Sequence, residues 1–195
     1  MTSARAVFLD RDGVLVDDVG PLLRSADVRV LPGVVEALAL LRDAGFTLVV
    51  VSNQTVVSRG LATEADVEAL QLDIEAIMAR AGAPAIDDFL FCPHHPNATV
   101  AAYRETCDCR KPEPGMIQRA CVRHGIDPRA SVMIGDRPSD VAAGHRAGCR
   151  TVWVQTGRHT DAPIETDAPF AVPAPDHVCA DLLSAARWVI AQEAA

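Results

Sequence analysis

Two carboxylates lie one residue apart near the start of the chain, in the stretch Asp10-Arg11-Asp12-Gly13. The apolar run 6–9 before them predicts a buried parallel strand, and Gly13 allows a sharp turn after it. The two acids would then lie at the carboxyl end of a strand, where open α/β sheets place their ligands. In such a pair one carboxylate can attack an electrophile while the other moves a proton. Simple turn formation by the aspartates is the alternative explanation.

Three further polar stretches favour the catalytic interpretation. Ser52 and Asn53 follow one apolar run, and Asp136 follows another after Gly135. Because parallel strands end at the same edge of a sheet, these side chains are expected to meet the acidic pair. Lys111, in the stretch Cys-Arg-Lys-Pro, would add a fixed positive charge to an anion held there.

The elements that must position these residues alternate between strand and helix. Strands are predicted at 6–9, 47–51, 88–91, 131–134 and 151–154, with a short one near 178. Amphipathic helices are predicted after Pro32-Gly33, from 63 to 82, from 115 to 124, near 138 and over 182–190. This alternation predicts an α/β fold, a doubly wound, Rossmann-like parallel sheet with helices on both faces.

The segments between these elements are expected to be loops. They cover residues 10–31, 52–62, 92–109 and 155–176. None of them offers enough residues for a large cap domain, so short loops would control access to the site. The whole chain, 1–195, is expected to form a single domain.

The charge balance limits the partners that the chain can bind. The 195 residues include 18 basic and 26 acidic ones, which gives a formal charge of −8, and they contain no basic run. This balance disfavours a nucleic-acid partner, and with it a 3′-phosphatase that acts on the ends of nucleic acids. Neither a signal segment nor a membrane-spanning apolar run is found, so a cytoplasmic protein without a membrane partner is expected. The expected partner is a small molecule; a monomer is compatible with the sequence, which leaves the oligomeric state open.

A second group of residues has the chemistry of a metal site. Cys92 and His94 form one close pair and Cys107 and Cys109 another, and four soft ligands in two pairs suit a closed tetrahedral Zn²⁺ site. His95 is an alternative to His94. Zinc would order the 92–109 loop, which has no core of its own. The other cysteines lie in apolar contexts and are expected to fill the core: Cys121, Cys149 and Cys179.

The four polar stretches, taken together, resemble a known family. Asp-x-Asp-Gly at 10–13, Ser-Asn at 52–53, Lys-Pro at 111–112 and Gly-Asp at 135–136 occur in the order of the motifs of the haloacid dehalogenase-like phosphatases. The resemblance covers about residues 6–157 and implies a Mg²⁺-dependent phosphatase. By that resemblance Asp10 would attack phosphorus to form an aspartyl-phosphate, and Asp12 would serve as general acid and base.

The resemblance also implies the remaining catalytic and metal-binding roles. Mg²⁺ would be held by the carboxylates of Asp10 and Asp136 and by the backbone carbonyl of Asp12. Ser52 would bind phosphoryl oxygens, as would the Asn53 backbone amide, and Lys111 would neutralise them. For Asp140 two interpretations stay open, a contact with the metal site or an acid that complements a helix N-terminus.

The zinc loop narrows the resemblance within the family. Cys-Pro-His-His-Pro at 92–96 and Cys-Asp-Cys-Arg-Lys-Pro at 107–112 resemble the heptose 1,7-bisphosphate 7-phosphatases of nucleotide-activated heptose biosynthesis. This implies a sugar bisphosphate substrate, with Arg110 on the second phosphate and substrate contacts at Asn53, Gln54, Thr55, Arg110 and Arg137. Histidinol-phosphate phosphatases, which share the zinc pattern, are the alternative enzyme. A non-catalytic binding protein is the alternative of another class, and it would be expected to lack motif residues.

The sequence departs from the heptose pattern in one segment. Asp-Val-Gly-Pro at 18–21 stands where those enzymes typically have an Asp-His-Gly-Tyr-like segment. A histidine and a tyrosine that could contact the sugar are therefore missing from this position.

Overall fold

The computed structural model describes residues 4–157 and 172–193. Within these residues, six strands, six α-helices and three short 3₁₀-helices follow one another in the chain. The strands are β1 Ala6–Leu9, β2 Thr47–Asn53, β3 Asp88–Cys92, β4 Val132–Gly135, β5 Arg150–Val154 and β6 His177–Cys179. The helices are α1 Val34–Asp43, α2 Thr55–Ser58, α3 Glu64–Arg80, α4 Gly115–His124, α5 Pro138–Ala147 and α6 Leu182–Glu193. The central part of the loop predicted over 155–176 lies outside the described residues.

The strands form one parallel sheet in the order β3-β2-β1-β4-β5-β6. The order reverses at β1, because the chain first adds β2 and β3 on one side and then β4, β5 and β6 on the other. This doubly wound topology confirms the predicted fold class. Its switch point lies between β1 and β4, where a ligand site is expected at the carboxyl ends of the strands.

The first strand shows why both faces of the sheet must be covered. All four residues of β1 are fully buried. Val7 and Leu9 join a core cluster that α1, α3 and α6 cover, whereas Ala6 and Phe8 join a second cluster beneath α4 and α5. A continuous apolar strand therefore packs on helices through both sets of side chains, as parallel sheets require.

The loop predicted over 52–62 differs from the expectation. Strand β2 runs on to Asn53, and α2 forms immediately after it. Val56 and Val57 of this helix are buried against Val67 of α3, and burial outweighs the low helix propensity of valine. The short helix fixes how the chain leaves the end of β2.

Residues 10–31 form a packed loop that follows the carboxyl end of β1. Val16 makes β-bridges with Asp12 and with Val30, and Leu22 and Val28 belong to the main core. Within the described ranges the sheet carries no large cap domain, which confirms that expectation. The helices of the same ranges include none that is long and apolar enough to cross a bilayer.

Candidate active site

A cleft of about 810 Å³ opens at the carboxyl edge of the sheet. Its walls come from the segments that follow β1, β2 and β4 and from the 92–114 segment that follows β3. They include most of the predicted site residues: Asp10, Asp12, Ser52, Asn53, Gln54, Thr55, Arg110, Lys111 and Arg137. The predicted motifs therefore converge, although they are far apart in the sequence.

A tight turn places Asp10 at the end of β1. Gly13 has a φ of 86°, a conformation that other residues rarely adopt. A Cβ atom at this position would lie 2.5 Å from Oδ2 of Asp136. Glycine therefore allows the predicted turn at this position. It also allows the loop after β1 to approach the end of β4 closely.

Two donors hold one oxygen of Asp10. The backbone N–H of Arg11 donates to Oδ1 at 2.8 Å, and Nζ of Lys111 lies 2.9 Å from the same atom. Lys111 also lies 2.6 Å from Oδ1 of Asp140 and donates to the carbonyl of Val51 at 2.9 Å. The three N–H groups of the ammonium can therefore each serve one oxygen.

Burial and charge compete at Lys111 and Asp140. Burial, the largest influence, lowers the pKa of Lys111, but the carboxylates of Asp10 and Asp140 raise it above its ordinary value. The lysine therefore stays protonated and supplies the predicted positive charge. For Asp140, burial raises the pKa to about 6 although Lys111 opposes this change. The two interpretations of Asp140 are compatible, because its Oδ2 accepts from the backbone N–H of Arg137 at 3.0 Å at the start of α5, while its Oδ1 contacts Lys111 in the buried site.

The side chain of Asn53 positions Lys111. Its Nδ2 donates to the carbonyl of Lys111 at 2.9 Å, and its Oδ1 accepts from the backbone N–H of Lys111 at 3.0 Å. The paired hydrogen bonds fix the backbone of a loop residue against the end of β2. Sequence reasoning missed this role, because it assigned only the Asn53 backbone amide to the site.

The carboxylate of Asp12 turns towards Arg11 and Gln54, with which it forms three hydrogen bonds of 2.9 to 3.1 Å. The predicted ligand atom of Asp12, its backbone carbonyl, is not needed for these bonds. Gln54 was predicted to contact substrate, but its side chain is buried and bonded to Arg11, Asp12 and Ser52. The sequence analysis assigned no role to Arg11, whose side chain contacts Asp12 and Gln54.

Three buried carboxylates form a potential cation site. Single oxygens of Asp10, Asp136 and Asp140 lie within 4.8 Å of one another. Oxygen donors of this kind suit the hard Mg²⁺ ion, which accepts one or two carboxylates together with other oxygen ligands. The donor set therefore fits the predicted magnesium.

The cysteine and histidine pairs also meet, in a compact group. Sγ of Cys109 lies 3.0 Å from Sγ of Cys92 and 3.2 Å from that of Cys107, and Nδ1 of His94 lies 3.5 Å from Sγ of Cys109. Zinc–sulfur bonds of about 2.3 Å give tetrahedral edges of roughly 3.8 Å, so a small expansion would admit the ion. His95 instead accepts a hydrogen bond from the backbone of Asn97, which favours His94 as the ligand.

The thiols of this group contact one another, and a carboxylate lies beside the histidine. The hydrogen bond with Cys92 lowers the pKa of Cys109 to about 5, although burial opposes this change. The same hydrogen bond, aided by burial, raises the pKa of Cys92. Oε1 of Glu105 lies 3.1 Å from Nε2 of His94, on the ring nitrogen opposite to the thiols. A carboxylate in this position fixes the tautomer of a metal-binding histidine.

The remaining cysteines pack in apolar surroundings, as predicted. Cys149 is buried and Cys121 half-buried in the cluster below α4, and Cys179 packs against the main core.

Two family models match the sequence, and together they span most of it. The haloacid dehalogenase-like hydrolase model matches residues 7–105, and the HAD-hydrolase-like model matches residues 108–185. The chain belongs to the haloacid dehalogenase-like hydrolase family.

Individual members of this family share more than the fold with the chain. A D-glycero-beta-D-manno-heptose-1,7-bisphosphate 7-phosphatase of Yersinia pestis is 39% identical over 171 residues, covering 87% of this chain and 90% of the relative. A D-glycero-D-manno-heptose-1,7-bisphosphate 7-phosphatase of Chlorobaculum tepidum is 37% identical over 196 residues, covering 97% of this chain and 96% of the relative. The crystal structure of a D,D-heptose 1,7-bisphosphate phosphatase from B. bronchiseptica, complexed with magnesium and phosphate, gives a TM-score of 0.80 at 31% identity, covering 97% of this chain and 99% of that one.

These similarities confirm the predicted resemblance to haloacid dehalogenase-like phosphatases and to the heptose enzymes among them. The chain is an enzyme, a phosphoric monoester hydrolase of this family, as the motifs predicted.

In this family member, cationic side chains surround the mouth of the cleft. Nη1 of Arg110 donates to the carbonyl of His94 at 3.3 Å, which holds the guanidinium against the 92–109 loop. Arg137 forms an ion pair of 2.8 Å with Asp18. Asp18 lies in the segment that departs from the heptose pattern, so this segment retains a contact with the site. Arg59 and Arg146, which sequence reasoning did not assign, also line the cleft.

Proposed function

We propose that this protein removes the 7-phosphate of D-glycero-D-manno-heptose 1,7-bisphosphate, in the biosynthesis of nucleotide-activated heptose, through an aspartyl-phosphate on Asp10. The observation that carries the proposal is the position of Asp10, a buried carboxylate held by Lys111 in a cleft rimmed by arginines. The names of relatives that align with nearly the whole chain support the choice of sugar. The net charge of −8 makes this local concentration of cations the feature that would attract a bisphosphate.

Asp10 and Asp12 divide the reaction between them. Since the donors to Asp10 hold Oδ1, Oδ2 attacks phosphorus while Asp12 gives a proton to the departing sugar oxygen. A water molecule then attacks the aspartyl-phosphate, and Asp12 takes its proton. Inorganic phosphate leaves, and both carboxylates regain their initial states. Lys111 and Ser52 bind the phosphoryl oxygens throughout.

Magnesium would be held by Asp10 and Asp136 and by the carbonyl of Asp12, with Asp140 close to the same site. When bound, it offsets the repulsion between the carboxylates and the phosphate and stabilises charge in the transition state.

Arg110 reads the second phosphate in this proposal. Replacement Arg110→Ala is expected to lower kcat/KM for the heptose bisphosphate about ten- to a hundredfold, and that for a monophosphate much less. One charge-assisted contact contributes roughly 1.5–3 kcal/mol, which gives this range. The measurement is kcat/KM for both substrates in the wild type and in the variant.

Two variants serve as controls for Arg110→Ala. Arg110→Lys keeps the charge but loses the planar fork, so an intermediate loss is expected. Arg119→Ala removes an arginine that pairs with Asp108 outside the cleft and is expected to change neither constant. Equal losses for the bisphosphate and the monophosphate would contradict this role of Arg110.

We also propose that Cys92, His94, Cys107 and Cys109 hold a structural zinc ion, with Glu105 orienting His94. The wild type should contain about one zinc ion per chain. Because the carboxylate sets the histidine tautomer, Glu105→Ala is expected to weaken zinc binding about ten- to a hundredfold. Competition with a chromophoric chelator measures this affinity, and Glu68→Ala, an exposed carboxylate on α3, is the control. Zinc affinity unchanged by Glu105→Ala would contradict the assigned role.

A substrate panel tests the proposed function. Values of kcat/KM are measured with Mg²⁺ for the heptose bisphosphate, the heptose 7-phosphate, histidinol phosphate and simple sugar phosphates. The heptose bisphosphate is expected to give the highest value. A higher value for histidinol phosphate would overturn the substrate assignment while leaving the phosphatase chemistry in place, and a chain that hydrolyses none of them would overturn both.

A further inference from the structure

Arg11 lies between the two aspartates of the first motif, yet its side chain is buried. It is 1% exposed, and its guanidinium takes both oxygens of Asp12. Nε lies 3.1 Å from Oδ1 and Nη2 lies 3.0 Å from Oδ2. A buried guanidinium is costly unless its charge is paired and hydrogen-bonded. Arg11 and Asp12 are therefore held as one unit with a bidentate geometry that fixes the carboxylate plane.

Gln54, the residue between β2 and α2, contacts both members of this pair. It is 3% exposed, and its Oε1 accepts from Nη2 of Arg11 at 2.9 Å. Its Nε2 donates to Oδ2 of Asp12 and to Oγ of Ser52, both at 2.9 Å. Both amide donors are thus engaged. The contacts link the acid at the end of β1 to the serine at the end of β2.

The arrangement leaves one position on Asp12 for proton exchange. Oδ2 accepts two hydrogen bonds and Oδ1 accepts one. An ionised carboxylate has about four acceptor sites, so Oδ1 retains a site for a further partner. The side chain of Asp12 is 23% exposed, unlike that of Arg11, and it lines the cleft. The same contacts that restrain Asp12 therefore leave it open to a reacting group.

The backbone of Arg11 is equally restrained. Its N–H donates to Oδ1 of Asp10, and its carbonyl accepts from the N–H groups of Leu15 and Val16 at 2.9 and 3.1 Å. Arg11 therefore contacts both aspartates, one through its backbone and the other through its side chain. Movement of this residue would change their relative positions.

We propose that Arg11 and Gln54 are positioning residues, a clamp that holds the Asp12 carboxylate where its Oδ1 exchanges a proton with the reacting oxygen. The inference rests on the proposed phosphatase chemistry. In the first step the bond from Asp10 to phosphorus forms, the bond from phosphorus to the leaving oxygen breaks, and that oxygen takes the proton of Asp12. Without the clamp the carboxylate is present but misplaced, and misplacement by about 1 Å can cost a hundredfold in rate.

The test is the dependence of rate on the leaving group. A series of ring-substituted phenyl phosphates runs from p-nitrophenyl phosphate, whose phenolate departs without a proton, to p-methoxyphenyl phosphate, whose phenolate is a much poorer leaving group. Arg11→Met is expected to lower kcat/KM about ten- to a hundredfold for the poorest leaving group and little for p-nitrophenyl phosphate. Arg11→Lys should recover part of the loss, because an ammonium contacts one oxygen where the fork contacts two.

Gln54→Met is a second variant, and it keeps the Arg11–Asp12 pair. Its kcat/KM is expected to fall about tenfold more for the poorest leaving group than for p-nitrophenyl phosphate. If Arg11→Met does not fold, the inference is tested with Gln54→Met alone. Gln71→Met replaces another buried glutamine, which contacts Glu75 on α3 outside the cleft, and should leave the dependence unchanged. Equal losses for all esters, or no loss, would overturn the inference and leave the phosphatase intact. A wild type that hydrolyses no ester would overturn both.

Discussion

Replacement Asp10→Asn is expected to abolish turnover, by about 10⁴-fold or more. An amide keeps the shape of the side chain but cannot supply the carboxylate oxygen that attacks phosphorus. The amide oxygen can still accept the hydrogen bonds that Arg11 and Lys111 donate to Oδ1, so the fold should persist. Initial rates with the heptose bisphosphate measure the loss, and the thermal midpoint Tm checks the fold.

The covalent intermediate gives a second readout for Asp10. Wild-type protein quenched in acid during turnover should carry one phosphoryl group by intact mass, and Asp10→Asn should carry none. Asp17→Asn is the matched control, because Asp17 is an exposed acid of the same loop. Turnover by Asp10→Asn near the wild-type rate would contradict the covalent mechanism.

Replacement Asp12→Asn is expected to lower kcat about 10²- to 10⁴-fold, the usual contribution of a general acid and base. The amide can still pair with Arg11 through its oxygen but has no proton to give to the sugar oxygen and accepts none from water. With p-nitrophenyl phosphate the first step needs no acid, whereas the second still needs a base. A burst of nitrophenolate followed by slow turnover is therefore expected in stopped-flow measurements. A kcat within a few-fold of the wild-type value would exclude Asp12 from proton transfer.

The sequence was sufficient for those parts of the site that local pattern determines. Apolar runs located the strands, and the polar residues at the carboxyl ends of β1, β2 and β4 meet because parallel strands end at one edge. Gly13 was predictable for the same reason, since its φ serves a turn next to a strand. The cluster of Cys92, His94, Cys107 and Cys109 was recognisable from residue type and pairing alone.

Other features depend on contacts between distant segments, which no local pattern reveals. Asn53 and Lys111 are 58 positions apart, and their paired hydrogen bonds exist only once the end of β2 meets the long segment that follows β3. The buried position of Arg11 was not predicted, because its partner Gln54 lies 43 positions away. Helix α2 was missed, since burial of Val56 and Val57 overrides their weak helix propensity.

Phosphorus NMR of the heptose bisphosphate during turnover tests the central claim most directly, because it resolves the two phosphates of one substrate. With wild-type protein and Mg²⁺, the account predicts that the 7-phosphate signal declines while inorganic phosphate grows by an equal amount. The 1-phosphate signal should persist throughout. Prior loss of the 1-phosphate, or a bisphosphate left intact by protein that hydrolyses histidinol phosphate under the same conditions, would contradict the account.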